Sequence, residues 1–86
     1  MVEIKFIISA DKFKDDIKKI RDKGLKEKLQ KQIVKIAGNP NFGKPLRYGL
    51  KGERTIYVKP YRLIFKIEKD KLILLRFEHR DEAYKI

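Results

Sequence analysis

The closing stretch LRFEHRDEAYKI, Leu75 to Ile86, holds the single histidine of the chain, His79, with Arg76, Arg80 and Tyr84 inside nine positions. A second candidate, Arg62, lies upstream in YRLIFKI, next to Tyr61. A guanidinium is planar, stays charged and grips a phosphate through two parallel hydrogen bonds. An imidazole transfers protons near neutral pH. A phenol stacks on a nucleobase or takes part in proton transfer. Other chemistries lack their residues. There are no cysteines for a thiolate zinc site, and no His/Asp/Glu cluster has metal-ligand spacing. No glycine-rich loop enters a helix as a nucleotide cradle. Neither a metal nor a cofactor is expected.

Eighty-six residues make one domain, 1–86, with a single modest core. Hydrophobic content of 42% beside 41% charged residues permits that core and excludes a disordered tail. No window is apolar enough to span a bilayer and no signal-peptide pattern opens the chain, so the expected compartment is the cytoplasm, without a membrane partner. The net charge of +11 suits nucleic acid, an anionic membrane or an acidic protein. Residues 1–43 carry 11 basic and 6 acidic side chains and residues 44–86 carry 12 and 6, so charge alone does not locate a site.

Alternation from Val2 to Ile8 predicts a half-buried strand. Ser9 then offers an N-cap to a helix beginning near Ala10, with Phe13, Ile17 and Ile20 as its apolar stripe. Gly24 interrupts, and a second stripe follows in Leu25, Leu29, Ile33 and Ile36, ending at Gly38 and Pro40. The segment Gly38–Gly52 holds four of the five glycines and two of the three prolines, and reads as a long loop. Three strands follow, Glu53–Lys59, Tyr61–Glu68 and Lys71–His79, with turns at Lys59-Pro60 and around Lys69-Asp70. The expected class is α+β in the order β-α-α-β-β-β. An antiparallel meander is covered on one face by a helical hairpin, and the first strand lies at the sheet edge or beside the last strand.

Strand alternation assigns the faces. Tyr61, Leu63, Phe65 and Ile67 meet the helices, together with Ile56, Val58, Ile73, Leu75 and Phe77. A two-residue turn at Lys59-Pro60 sets Tyr57 opposite Arg62, and Glu78 falls across from Arg62 on the other side. The uncovered face then collects Thr55, Tyr57, Arg62, Arg76 and Glu78, with His79, Arg80 and Tyr84 at its rim. It also exposes Ile64, Leu72 and Leu74, an apolar area that a partner helix would cover.

The run PLRYGLKGERTIYVKPYRLIFKI and the ending LRFEHRDEAY, in this order after a strand and a helical hairpin, resemble the RelE/ParE superfamily of toxin–antitoxin toxins, in particular archaeal RelE-like toxins. The resemblance covers nearly the whole chain and implies a RelE-like fold of microbial-ribonuclease type. It further implies an mRNA interferase: a metal-independent, ribosome-dependent endoribonuclease that cuts messenger RNA in the ribosomal A site, beside ribosomal RNA. An acidic helical antitoxin would hold it inactive. In such cleavage the substrate 2′-hydroxyl attacks its own phosphate through a phosphorane with added negative charge. The resemblance places Arg62 and Arg80 on the scissile phosphate with Arg76 in support, His79 as proton donor or acceptor, and Tyr84 on a base or in proton transfer. Arg47, Lys51, Tyr57 and Lys59 would hold the RNA on either side. The chain departs from the family pattern where Thr55 and Tyr57 replace basic residues and Glu78 replaces a glycine. Two other functions therefore stay open: a ParE-like inhibitor of gyrase or topoisomerase that cuts nothing, and a weakened relative that binds antitoxin or nucleic acid.

Overall fold

The computed structural model describes residues 3–39, 44–45 and 52–79. In chain order these form β1 (Phe6–Ser9), α1 (Asp11–Lys18), α2 (Lys23–Gly38), β2 (Lys44–Pro45), β3 (Arg54–Val58), β4 (Tyr61–Glu68) and β5 (Lys71–His79). The strands make one sheet in the order β1-β5-β4-β3-β2. The meander β3-β4-β5 is antiparallel and β1 runs parallel to β5, so the sheet is mixed. This is the α+β arrangement expected, with the first strand beside the last and a two-residue strand added at the far edge.

The helix stripes pack as their spacing predicts. Phe13, Ile20, Leu25, Leu29 and Ile36 form the core with Val58, Leu63, Phe65, Leu72, Leu74 and Phe77 of the sheet. The helix boundaries differ from expectation. Ser9 closes β1 rather than capping α1, whose N-cap is Ala10 with no side-chain hydrogen bond. The break between the helices falls at Lys19–Asp22, and Gly24 sits inside the first turn of α2. Asp22 explains the difference. Its Oδ1 accepts from the Leu25 N–H at 3.2 Å. Such a cap contributes about 1 kcal/mol, enough to offset the roughly 1 kcal/mol that a helical glycine costs.

Two sheet expectations are corrected. Ile64 pairs with Arg76 and Phe65 with Leu74, which leaves Leu75 as one extra residue in β5. A bulge of this kind reverses the facing of every residue before it. Leu72 and Leu74 therefore join the core, Ile73 moves to the uncovered face, and of the expected core row Ile73, Leu75 and Phe77 only Phe77 belongs to the core cluster. The exposed apolar area of Ile64, Leu72 and Leu74 does not exist, since all three are buried. The second correction concerns the N-terminal strand. It begins at Phe6 rather than Val2, and Phe6, Ile7 and Ile8 are all exposed, so it is not half-buried.

Pairing of β1 with β5 stops at Ser9 and Leu74. Further along β5 the Phe77 N–H finds its acceptor in α1 instead, the buried Asp16 Oδ2, at 2.9 Å. Lys12, one turn earlier, pairs with the same carboxylate. The carboxylate thus ties α1 to the strand end that carries Glu78 and His79. Hydrogen bonds to a charged partner contribute about 1.5–3 kcal/mol. Asp16→Ala is expected to lower unfolding stability by about 2 kcal/mol in a denaturant titration, and Asp16→Asn by less.

Candidate functional site

The uncovered face is built by three adjacent strands. The Lys59-Pro60 peptide is cis and joins β3 to β4. Across this turn Tyr57 pairs with Arg62, and Arg62 pairs with Glu78 on β5. Residues directly opposite in an antiparallel pair share a face with Cβ atoms about 4.5–5.5 Å apart. An aromatic ring, a guanidinium and a carboxylate therefore stand in one row across the sheet. Tyr57 is 47% exposed, Arg62 and Glu78 half-buried. A neighbouring row holds Thr55, Ile64 and Arg76.

Arg76 organises this second row. Its Nε donates to Glu78 Oε1 at 3.0 Å, and its Nη2 lies 3.3 Å from Glu53 Oε1. Glu53 precedes β3, on the far side of β4 from Arg76. To reach it the arginine side chain must cross above Ile64, its direct pairing partner. Ile64 has 0% exposure, on the face opposite the described helices. Glu53 itself is only 7% exposed. Two carboxylates thus share one guanidinium, and Arg76 links β5 to the segment that enters β3.

The structure brings together some of the residues singled out from the sequence and separates others. Arg62, Tyr57, Glu78 and Arg76 share the uncovered face. Lys59 is exposed in the turn that leads into β4. His79 sits elsewhere. It pairs with Tyr61, and its ring meets the Tyr61 ring edge-on, with centroids 5.2 Å apart. Tyr61 stacks on the buried Phe77 at 4.9 Å. His79 thus lies on the helix side of the sheet, away from Arg62 and Arg76. Arg47, Lys51, Arg80 and Tyr84 lie outside the described residues.

Glu53 opens the strand expected at Glu53–Lys59, but nothing in the sequence marked it as a partner of Arg76. The clue available was its parity with Thr55 and Tyr57. Lys66, also on this face, pairs with Glu68 at 2.9 Å. These ion pairs compensate Lys66 and Arg76. Among the described residues no three metal-ligating side chains come together, and no helix is long and apolar enough to cross a membrane.

What this face can do chemically is bind an anion at Arg62, with an acceptor carboxylate one strand away and an aromatic platform on the other side. The fold itself is shared with solved proteins. The toxin in the RelB–RelE antitoxin–toxin complex from Methanococcus jannaschii superposes with a TM-score of 0.73 at 21% identity, covering 90% of this chain and 94% of that one. The DinJ–YafQ toxin–antitoxin complex of E. coli gives 0.76 at 20% identity over 98% and 100%. The intact E. coli RelBE complex gives 0.75 at 19% over 86% and 94%. None of the curated protein sequences matches the chain. The family model described as the ParE toxin of the type II toxin–antitoxin system parDE matches residues 7–84, nearly the full length. By that match the chain belongs to the RelE/ParE superfamily and is a toxin of a type II toxin–antitoxin system.

Proposed function

We propose that this toxin is a metal-independent endoribonuclease that cuts messenger RNA on the ribosome. The observation that carries the reading is the Tyr57–Arg62–Glu78 row on one face of three paired strands. Tyr57 offers a ring for stacking a base next to the cut. Arg62 faces the scissile phosphate and stabilises the charge that builds on it. Glu78 accepts the proton of the 2′-hydroxyl as that oxygen attacks phosphorus. The bond from phosphorus to the 5′ oxygen then breaks, leaving a 2′,3′-cyclic phosphate and a 5′-hydroxyl. The departing oxygen takes its proton from Tyr84, while Arg80, which also follows β5 in sequence, joins Arg62 on the phosphate. In this reading Arg76 is a positioning residue. Its 3.0 Å bond fixes Glu78 beside Arg62, and its bond to Glu53 fixes Arg76 in turn. His79, packed against Tyr61, holds the end of β5.

A second reading is a toxin that blocks a protein target, such as a topoisomerase, without cutting RNA. It is favoured by the compensation of Arg76 by two carboxylates and by Thr55 and Tyr57 on the face where basic residues would strengthen phosphate binding. Inducing the protein in growing cells and mapping messenger RNA 5′ ends separates the two. Cleavage gives new ends inside translated regions, in phase with codons. Glu78→Gln is expected to reduce those ends about 10²–10⁴-fold, the usual range for loss of a general base. Intact messages together with altered DNA supercoiling would decide for the second reading.

A further inference from the structure

Strand β5 changes its outer neighbour on the way to the site. Up to Leu74 it is flanked by β1, whose last pair is Ser9 with Leu74 and whose end is closed by the Ala10 N–H donating to Leu74 O at 2.9 Å. Leu75 is then the extra residue of the bulge. Such a residue interrupts the ladder and lets a strand bend. Beyond it lie Arg76 and Glu78 and, past the strand in sequence, Arg80 and Tyr84. The groups assigned to RNA cleavage thus hang on a strand end that follows a bulge and that β1 no longer flanks. There the Phe77 N–H donates to Asp16 Oδ2 of α1 at 2.9 Å.

We infer that Asp16 is a positioning residue for RNA cleavage, setting from α1 the place at which β5 presents Glu78 to the 2′-hydroxyl. This rests on the nuclease reading. The Phe77 N–H points away from β4, so alternation turns the backbone groups of Glu78 toward β4, where Glu78 pairs with Arg62. Asp16 therefore fixes the main chain just before the carboxylate, and Arg76 fixes the carboxylate itself. The reference point is firm. Phe13 anchors α1 in the core and Ile17 packs against it, while Lys12 pairs with the other oxygen of Asp16. Water at an open edge would satisfy the Phe77 N–H without burying a charge, yet Asp16 is only 7% exposed. What the carboxylate adds is a fixed distance between the helix and the strand end. A displacement of about 1 Å at a reacting group costs on the order of a hundredfold in rate, so that distance matters to catalysis.

The test is single-turnover cleavage of a message bound to ribosomes, at a temperature where circular dichroism shows each full-length variant folded. Asp16→Leu removes the acceptor and keeps an apolar filling, whereas Asp16→Asn keeps an acceptor oxygen. Leu29→Ala is the control for lost stability, since it weakens the core from α2 and leaves the Asp16 bond in place. Asp16→Leu is expected to lower the saturating rate about 10–100-fold and to move the half-saturating toxin concentration by less than about twofold. Asp16→Asn should cleave within about fivefold of wild type, and Leu29→Ala at the wild-type rate. The Phe77 amide should exchange about tenfold faster in Asp16→Leu than in Asp16→Asn. A wild-type rate in Asp16→Leu would overturn the inference and leave the nuclease reading in place. So would an equal fall in Leu29→Ala, or a loss in Asp16→Asn as deep as in Asp16→Leu. A wild-type toxin that leaves the message uncut would remove the nuclease reading and this inference together.

Discussion

Arg62→Ala is expected to lower the rate of ribosome-dependent RNA cleavage by about 10²–10³-fold, the usual cost of removing one well-placed donor from a developing oxyanion. The reason is its place in the sheet. Arg62 is the cation on the middle strand between the Tyr57 platform and the Glu78 carboxylate, and Arg76 braces that carboxylate from the next row. Arg62→Lys should remain severely impaired, because an ammonium cannot make the paired bonds of a guanidinium. Both variants should fold, since neither removes a residue of the core cluster. The checking measurement is single-turnover cleavage of a message bound to ribosomes, with circular dichroism melting of each variant. Wild-type rates in Arg62→Ala would remove the anion-binding role.

Phe65→Ala is expected to cost about 3–5 kcal/mol of unfolding free energy. A domain of this size has a total stability of only about 4–13 kcal/mol, on the usual per-residue scale. The variant should therefore lose a large share of that margin and show a clear drop in melting temperature. Phe65 has 0% exposure and is the largest fully buried side chain in the described residues. It sits beside the bulge, paired with Arg54 on one side and Leu74 on the other. The contrast with Leu75→Ala makes the prediction specific. Leu75 is the extra residue of the bulge and is only half-buried, so its truncation should cost clearly less than that of Phe65 or Leu74. Denaturant midpoints for the three alanine variants provide the check. A larger loss at Leu75 than at Leu74 would mean that β5 faces the other way.

These particulars show where the sequence was informative and where it was not. The Phe13–Ile20 and Leu25–Ile36 stripes follow a 3.6-residue period, so the helical hairpin and its inward face were legible. So was the Tyr57–Arg62–Glu78 row, because the Lys59-Pro60 turn fixes the register of β3 on β4 and the acidic and basic residues alternate with apolar ones. The bulge had no such mark. Leu72-Ile73-Leu74-Leu75 is uniformly apolar, so one inserted residue changes every facing without altering the pattern. Alternation also identifies a strand without saying which edge it takes, and for that reason the exposure of Phe6, Ile7 and Ile8 could not be foreseen. The burial of Glu53 depends on Arg76 reaching across β4, a contact between residues 23 positions apart. No local pattern encodes it. The helix break moved from Gly24 to Asp22 because a side-chain cap can override a weak helix former, and propensity alone ranks the two in the wrong order.

The same geometry assigns unequal roles to residues of one type. Arg62 and Arg76 are both half-buried guanidiniums on one face, yet the ion pairs make Arg76 a brace for Glu78. His79 shows the converse: an imidazole one residue from Glu78 is turned to the other side of the sheet by strand alternation, where Tyr61 fixes it. Chemical capability read from residue type becomes a role only once the face is known.

The most direct measurement is end-group chemistry. Purified toxin is mixed with ribosomes holding a defined message, and the new RNA termini are identified by mass spectrometry. Attack by the 2′-hydroxyl predicts a 2′,3′-cyclic phosphate upstream and a 5′-hydroxyl downstream, formed with metal chelated beyond what the ribosome itself requires and absent with Arg62→Ala. A 5′-phosphate at the cut, or an uncut message under conditions where the protein still arrests growth, would contradict the account.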